Sequence, residues 1–343
     1  MSTDSNPDSR PGSRPSSRPP HRTVERERSI STHRSSISGD SADAKGPPRP
    51  LCEERQSRLH GRGMFTTEKV SKGKLIFSET PLVYFDAQNI PWADVWKAYL
   101  NLEEPNQAAW RSLSKVDTLS VQQWLALSAN EKEYPGLCGE VLAKYWNNSW
   151  KDQVCGISLL GNRASFFNHS CRPTAVWTLN AEARTFEVRA TEDLDSDQEV
   201  LLNYVPLGWP RVRRLNSLRP FGFECSCALC AAPNSETEQN RAAIDQVDRQ
   251  LRSMSFPGDK RVRIEMYIEM LHLQQSEPAM VWDALWTATL LQQLFIEIDD
   301  LRRAADCQDV MVKASAVCCG KDFGLDQRWK ELVIHTMMLP RRR

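Results

Sequence analysis

Three thiols stand close together in Phe223-Glu224-Cys225-Ser226-Cys227-Ala228-Leu229-Cys230. Cysteines at Cys-x-Cys-x-x-Cys spacing can converge on one metal ion, with each sulfur about 2.3 Å from a zinc. Three ligands do not close a tetrahedral structural site, so the fold must deliver a fourth from elsewhere. Cys171 is the candidate, because it lies in a stretch already dense with functional groups. If it serves, a mid-chain turn and a downstream loop must meet in space, which excludes most ways of arranging the chain. The alternative is three buried cysteines without a metal, which leaves the topology free. A zinc-dependent hydrolase does not fit, since four thiolates leave no coordination position for water.

The stretch that holds Cys171 reads Arg163-Ala164-Ser165-Phe166-Phe167-Asn168-His169-Ser170-Cys171-Arg172-Pro173. A core strand does not need so many polar groups, and a solvated loop does not need Phe166-Phe167. It reads as a short buried strand ending at a site where Asn168, His169 and Cys171 each bind something. A plain buried turn is the competing reading.

Composition narrows the class. The chain has 343 residues, room for one large domain with an appendage or for two domains. Its 44 basic residues balance 44 acidic ones, so no global field draws it to nucleic acid or to membrane. No apolar run approaches the ~20 residues of a membrane span, and the N-terminus lacks a secretory apolar region. A nuclear or cytoplasmic location follows as the expectation, with reduced thiols. Ten cysteines then point to a metal site plus scattered core positions rather than a disulfide framework.

In order, residues 1–50 read as a disordered tail rich in Ser, Pro and Arg, with too little apolar surface to offset chain entropy. Order is expected to begin near Leu59, with a turn through Gly61-Arg62-Gly63-Met64-Phe65. Strands are expected at Leu75–Phe77 and Pro81–Phe85, so 51–86 forms a first β segment. Residues 87–147 read as a helical insertion, with Trp92, Trp96, Leu100, Trp124, Leu125 and Leu127 at helical intervals and serving as core. Residues 148–220 return to strands: Ala175–Leu179 paired with Thr185–Ala190, then Val200–Val205. The cysteine loop occupies 221–233. Residues 234–343 are helical by pattern, most clearly Val262–Leu273 and Trp282–Ile298.

Four pieces stand in a fixed order: Gly61-Arg62-Gly63; Asn168-His169-Ser170-Cys171-x-Pro173; Glu199 followed five residues on by Tyr204; and the Cys-x-Cys-x-x-Cys loop. The ordered set resembles the SET-domain protein lysine methyltransferases with a post-SET zinc loop. The Phe223-Glu224-Cys225 lead-in looks most like the SMYD group and its fungal relatives, here without a MYND finger. The resemblance covers roughly residues 59–232. It implies an α+β SET-domain fold: small twisted β-sheets, a helical insertion, a post-SET zinc loop and a helical C-terminal region.

It also implies roles. Gly61, Arg62, Gly63, Asn168 and His169 would hold S-adenosylmethionine through backbone carbonyls and the Asn168 amide. Phe223 would stack on the adenine, and Asn148 and Ser165 would add cofactor contacts. Trp150 and Leu202 would wall the lysine channel, Tyr204 would be the catalytic tyrosine, and Cys171 would join Cys225, Cys227 and Cys230 around Zn2+. An apolar Leu202 leans toward di- or trimethylation. The implied activity is protein lysine N-methylation, on a histone tail or another protein, with neither nucleic acid nor membrane as direct partner. Thr174 stands where the family usually has Asn, and Asp197-Gln198-Glu199 where it has Gly-Glu-Glu. Those departures support a second reading, a catalytically silent SET protein that binds peptides or acts as a scaffold.

Overall fold

The computed structural model describes residues 50–58, 61–87, 90–115, 136–152, 156–180, 183–254 and 259–321. The tail expected over 1–50 lies almost wholly outside these, as do Leu59, Trp124, Leu125 and Leu127.

Order starts earlier than the apolar pattern indicates. Strand β1, Cys52–Gln56, pairs antiparallel with β2, Arg62–Thr66. β1 reads Cys-Glu-Glu-Arg-Gln, with one buried residue, so hydrophobicity does not mark it. The expected turn through Phe65 is confined to Gly61, whose φ of +56° suits glycine; from Arg62 the chain is already strand. β3 (Leu75–Glu79) pairs with β8 (Thr185–Ala190), and β8 pairs in turn with β7 (Ala175–Asn180). β4 (Val83–Phe85) and β5 (Trp150–Asp152) flank β6 (Ile157–Leu160) in a third antiparallel sheet.

Between β4 and β5 the described chain is helical: α1 Trp92–Leu100, α2 Glu104–Arg111 and α3 Leu137–Asn148. Their aromatics build core. Trp96 stacks on Tyr99, Tyr99 meets Trp110 edge-on, and Trp110 stacks on Tyr145. The Trp110 indole N–H donates to the Val141 carbonyl at 3.1 Å, so its one polar atom is satisfied inside the core.

The segment expected as a strand at Val200–Val205 forms no continuous ladder, because its hydrogen bonds are divided among several partners. Val200 N–H donates to Met64 O (2.8 Å), and Leu202 N–H to Asn168 O (2.9 Å). Thr174 donates its N–H to Leu201 O (3.1 Å), and its hydroxyl accepts from Leu201 N–H (3.1 Å). A threonine at 174 therefore helps hold this segment. Asp197 takes a left-handed φ of 62°, the conformation a glycine adopts freely. Its carboxylate meets Arg55 Nη1 at 2.6 Å, tying the strained turn to β1.

After the sheets come α4 (Arg211–Leu218), the short α5 (Ala228–Ala231), α6 (Glu236–Ser253), α7 (Lys260–Gln275), α8 (Val281–Glu297) and α9 (Leu301–Cys318). Ser235, Asp259 and Asp300 cap α6, α7 and α9 through side-chain oxygens that accept backbone N–H groups. Helices α6–α9 share a core of their own, which buries Leu285, Leu291 and Met311. No described helix is long and apolar enough to cross a membrane.

Two fully buried arginines tie α6 to the segments packed against it. Arg214 on α4 pairs with Glu238 on α6. Arg241 on α6 pairs with Glu277 at 2.6 Å and donates from Nη1 to the Cys171 carbonyl at 2.6 Å. Buried guanidinium groups persist only when every charge is matched in this way.

Close packing decides one position in β2. A Cβ on Gly63 would sit 2.3 Å from Glu199 Oε1 and 3.0 Å from Ser57 Cβ. Glu199 cannot swing aside freely, because Ser57 Oγ (2.9 Å) and Asn168 Nδ2 (2.8 Å) both donate to it. Gly63→Ala is expected to lower stability by about 1–3 kcal/mol. Thermal unfolding checks this; an unchanged melting temperature would show that Glu199 is not held.

Candidate active site and metal centre

The segment around Glu199–Tyr204 is where distant motifs meet. Glu199 bridges to Phe65 on β2, while Leu202 forms a parallel bridge with His169. Residues near 63, 168 and 200 thus become neighbours through backbone hydrogen bonds, whatever their side chains do. The Asn168 amide then closes the junction, donating to Arg62 O at 2.9 Å and to Glu199 Oε1 at 2.8 Å. With both N–H groups committed, Asn168 has only its carbonyl oxygen left to offer a ligand.

Tyr204 sits just beyond this junction, on the wall of a cavity of about 810 Å³. Its hydroxyl donates to Phe167 O at 2.7 Å, which fixes the oxygen and leaves its lone pairs as acceptors. Around the ring stand Trp150 at 5.7 Å edge-on, Phe221 at 5.2 Å and Phe223 at 6.4 Å edge-on. Aromatic faces around a phenol oxygen favour a cation in the space they enclose. Tyr204 as a whole is half-buried. Burial first, and the Glu199 carboxylate second, push the Tyr204 hydroxyl well above the ordinary phenol range, so it stays neutral.

His169 links this phenol to the cysteines. Its Nδ1 accepts the Tyr204 backbone N–H at 3.0 Å, which places the ring proton on Nε2, 3.4 Å from Cys171 Sγ. The sulfurs of Cys171, Cys225, Cys227 and Cys230 all lie within 4.8 Å of one another. Cys171 Sγ is 3.9 Å from Cys225 Sγ and 3.5 Å from Cys230 Sγ. A tetrahedron with zinc–sulfur bonds of about 2.3 Å has edges of about 3.8 Å, so these spacings fit one zinc ion. The four thiols are tightly coupled: hydrogen bonding among them pulls Cys225 and Cys227 down and pushes Cys171 and Cys230 up, so they share protons that a metal would displace. These cysteines pack with Val205, Leu218 and Leu229 in a small core of their own, which also seats Phe221 and Phe223.

The cavity gathers most of the residues singled out in the sequence: Gly61, Arg62, Asn148, Trp150, Ser165, Asn168, His169, Tyr204 and Phe223 all line it. Arg62 lies 3.9 Å over the Phe166 ring. Asn148 spends both N–H groups on Ser114 O and Lys144 O, each at 2.7 Å, and Ser165 Oγ donates to Gly161 O at 2.7 Å. Two residues stand elsewhere. Leu202 is fully buried in the main core, and Gly63 faces Glu199; neither lines the cavity. Glu199 has no signature in the sequence beyond its place five residues before Tyr204, yet its carboxylate organises the junction. Phe221 lines the cavity against Tyr204 as well, and its one signal in the sequence is its position directly before Gly222-Phe223. Trp177, Trp282 and Asp283 line the cavity too, and nothing local in the sequence sets them apart.

Residues 61–205 match the protein family described as "SET domain". Histone-lysine N-methyltransferase set5 of Schizosaccharomyces pombe is 26% identical over 203 residues, which are 57% of this chain and 56% of that protein. N-lysine methyltransferase SMYD2-B of Danio rerio is 34% identical over 76 residues, covering 21% of this chain and 16% of that protein. The chain thus spans about half the length of the first relative and much less of the second. The solved structure of the SET domain of LSMT bound to lysine and AdoHcy aligns over 84% of both chains at 13% identity, with a TM-score of 0.35. That superposition is too loose to bear an argument.

Proposed function

We propose that this chain, which carries a SET domain across residues 61–205, transfers methyl groups from S-adenosylmethionine to a lysine side chain of a protein. The observation that carries the reading is the Tyr204 hydroxyl. It is tethered to the Phe167 carbonyl and caged by Trp150, Phe221 and Phe223 in a cavity shared with Asn168 and Arg62.

S-adenosylmethionine supplies an electrophilic methyl group on a sulfonium. The Asn168 carbonyl oxygen suits the cofactor's ammonium, and Gly61, Arg62, Asn148, Ser165 and His169 complete its wall. Phe223, seated on the cysteine loop, suits the adenine face. Tyr204 and Trp150 hold the lysine amine in line. A charged ammonium has no lone pair, and an apolar aromatic channel beside a positive sulfonium favours its neutral form. The neutral amine, held there with its proton already lost to water, would be the acceptor of that methyl group. Alignment accounts for most of the rate gain.

The four cysteine sulfurs would hold one Zn2+ as a closed structural site, folding the loop that bears Phe221 and Phe223 over the cavity. In this reading 51–86 and 148–220 make up the SET domain, 87–147 its insertion, 221–233 the post-SET loop and 234–343 a helical lobe. The substrate is a histone tail or another lysine-bearing protein, met in the nucleus or cytoplasm.

Calorimetry with S-adenosylmethionine, followed by transfer of a labelled methyl group to lysine peptides on an array, tests the proposal. Saturable cofactor binding with label on lysine is expected. Binding without transfer on any peptide would favour the silent scaffold, and no binding at all would end the reading.

A further inference from the structure

One wall of the Tyr204 cavity does not come from the SET domain. Ala279, Trp282 and Asp283 reach it from the C-terminal helices, the last two in the first turn of α8. Asp283 brings a carboxylate there. Among the described residues no cation pairs with it: Arg241, the basic group acting on it, is committed to Glu277 and to the Cys171 carbonyl. Burial raises the Asp283 carboxyl to about 6; a hydrogen bond from its own backbone N–H and the Arg241 charge pull it down, Glu277 pushes it up, and none of these makes a salt bridge. A buried carboxylate with no ion-pair partner is costly, and an arriving cation relieves that cost. Of the two basic side chains that line this cavity, Arg62 lies over the Phe166 ring at 3.9 Å and pairs with Glu54, and Lys151 lies over the Trp146 ring at 4.5 Å.

We infer that Asp283 recognises a second cation of the substrate, a lysine or arginine flanking the residue that is methylated. The inference rests on the methyltransferase reading and names its substrate class: a basic peptide. Asp283 does not serve the target lysine itself. A carboxylate beside that ammonium would stabilise its charged form and oppose the deprotonation that transfer requires. Trp282, next to Asp283 in the first turn of α8, lines the same cavity, and an indole suits the stem of a long basic side chain.

The test uses the full chain with S-adenosylmethionine and two series of lysine-centred peptides, one scanning arginine through the flanking positions and one scanning glutamine. The wild-type protein is expected to favour arginine at one flank about tenfold in kcat/KM, carried by KM. In Asp283→Asn that ratio falls to about one, while Asp283→Glu retains most of it. A ratio that survives in Asp283→Asn overturns the inference, as does a loss that falls equally on both series. If the wild type methylates no peptide, the methyltransferase reading has failed. Fluorescence anisotropy of the same labelled peptides then decides the inference separately: arginine-dependent binding lost in Asp283→Asn supports it, and binding indifferent to arginine or to Asp283 rejects it.

Discussion

Tyr204→Phe is expected to leave S-adenosylmethionine bound and to cut methyl transfer by about 100-fold or more, equivalent to about 2.7 kcal/mol of transition-state stabilisation. The substitution keeps the ring, so its contacts with Trp150, Phe221 and Phe223 persist. What goes is one oxygen, held on the Phe167 carbonyl with its lone pairs free for the incoming amine. Single-turnover transfer measured beside calorimetric cofactor affinity separates the two effects. A normal rate would remove Tyr204 from the chemistry; a lost cofactor would make it a packing residue.

The wild-type pH profile offers a companion check. Burial and Glu199 hold the phenol neutral well past its ordinary range near pH 10. Transfer should therefore climb from pH 7 to 10 as the target ammonium loses its proton, with no downturn from Tyr204. The sign for stability is consistent. A phenol whose folded pKa is raised contributes stability below its unfolded pKa, and loses it as pH rises beyond that value.

Cys171→Ser carries the other large expected effect. Purified wild-type protein should hold about one zinc per chain by elemental analysis. Removing the sulfur that lies 3.5 Å and 3.9 Å from its neighbours leaves the three-cysteine loop without its anchor. Loss of the metal is expected, with a fall in melting temperature of about 10 °C, corresponding to about 3–5 kcal/mol. Because Phe221 and Phe223 pack in the same small core as these cysteines, cofactor affinity should fall with it. A Cys171→Ser protein that keeps its zinc would show that the fourth ligand lies elsewhere.

Much of this site could be read before any coordinates. Three thiols on one short loop are incomplete, and that shortage alone pointed to Cys171 and to a meeting of two distant segments. The helices of the C-terminal region announced themselves by apolar spacing, because a helix packed on one side repeats that side every three or four residues. β7 and β8 were legible for the analogous reason, alternation across a short turn.

Other features had no local signature. β1 exists because β2 lends it hydrogen bonds, and Cys-Glu-Glu-Arg-Gln shows no hydrophobic pattern to reveal it. Val200–Val205 looks like a strand but divides its bonds between Met64 on one side and Asn168 and Thr174 on the other. The importance of Glu199, the seating of Leu202 in the core and the entry of Asp283 into the cavity depend on what lies opposite in space. Chemistry carried by residue type and spacing, such as a metal ligand count or a helical period, is written along the chain. Which carboxylate is caught between two donors, and which is left facing an open cavity, depends on partners far away in sequence and is settled only when the chain packs.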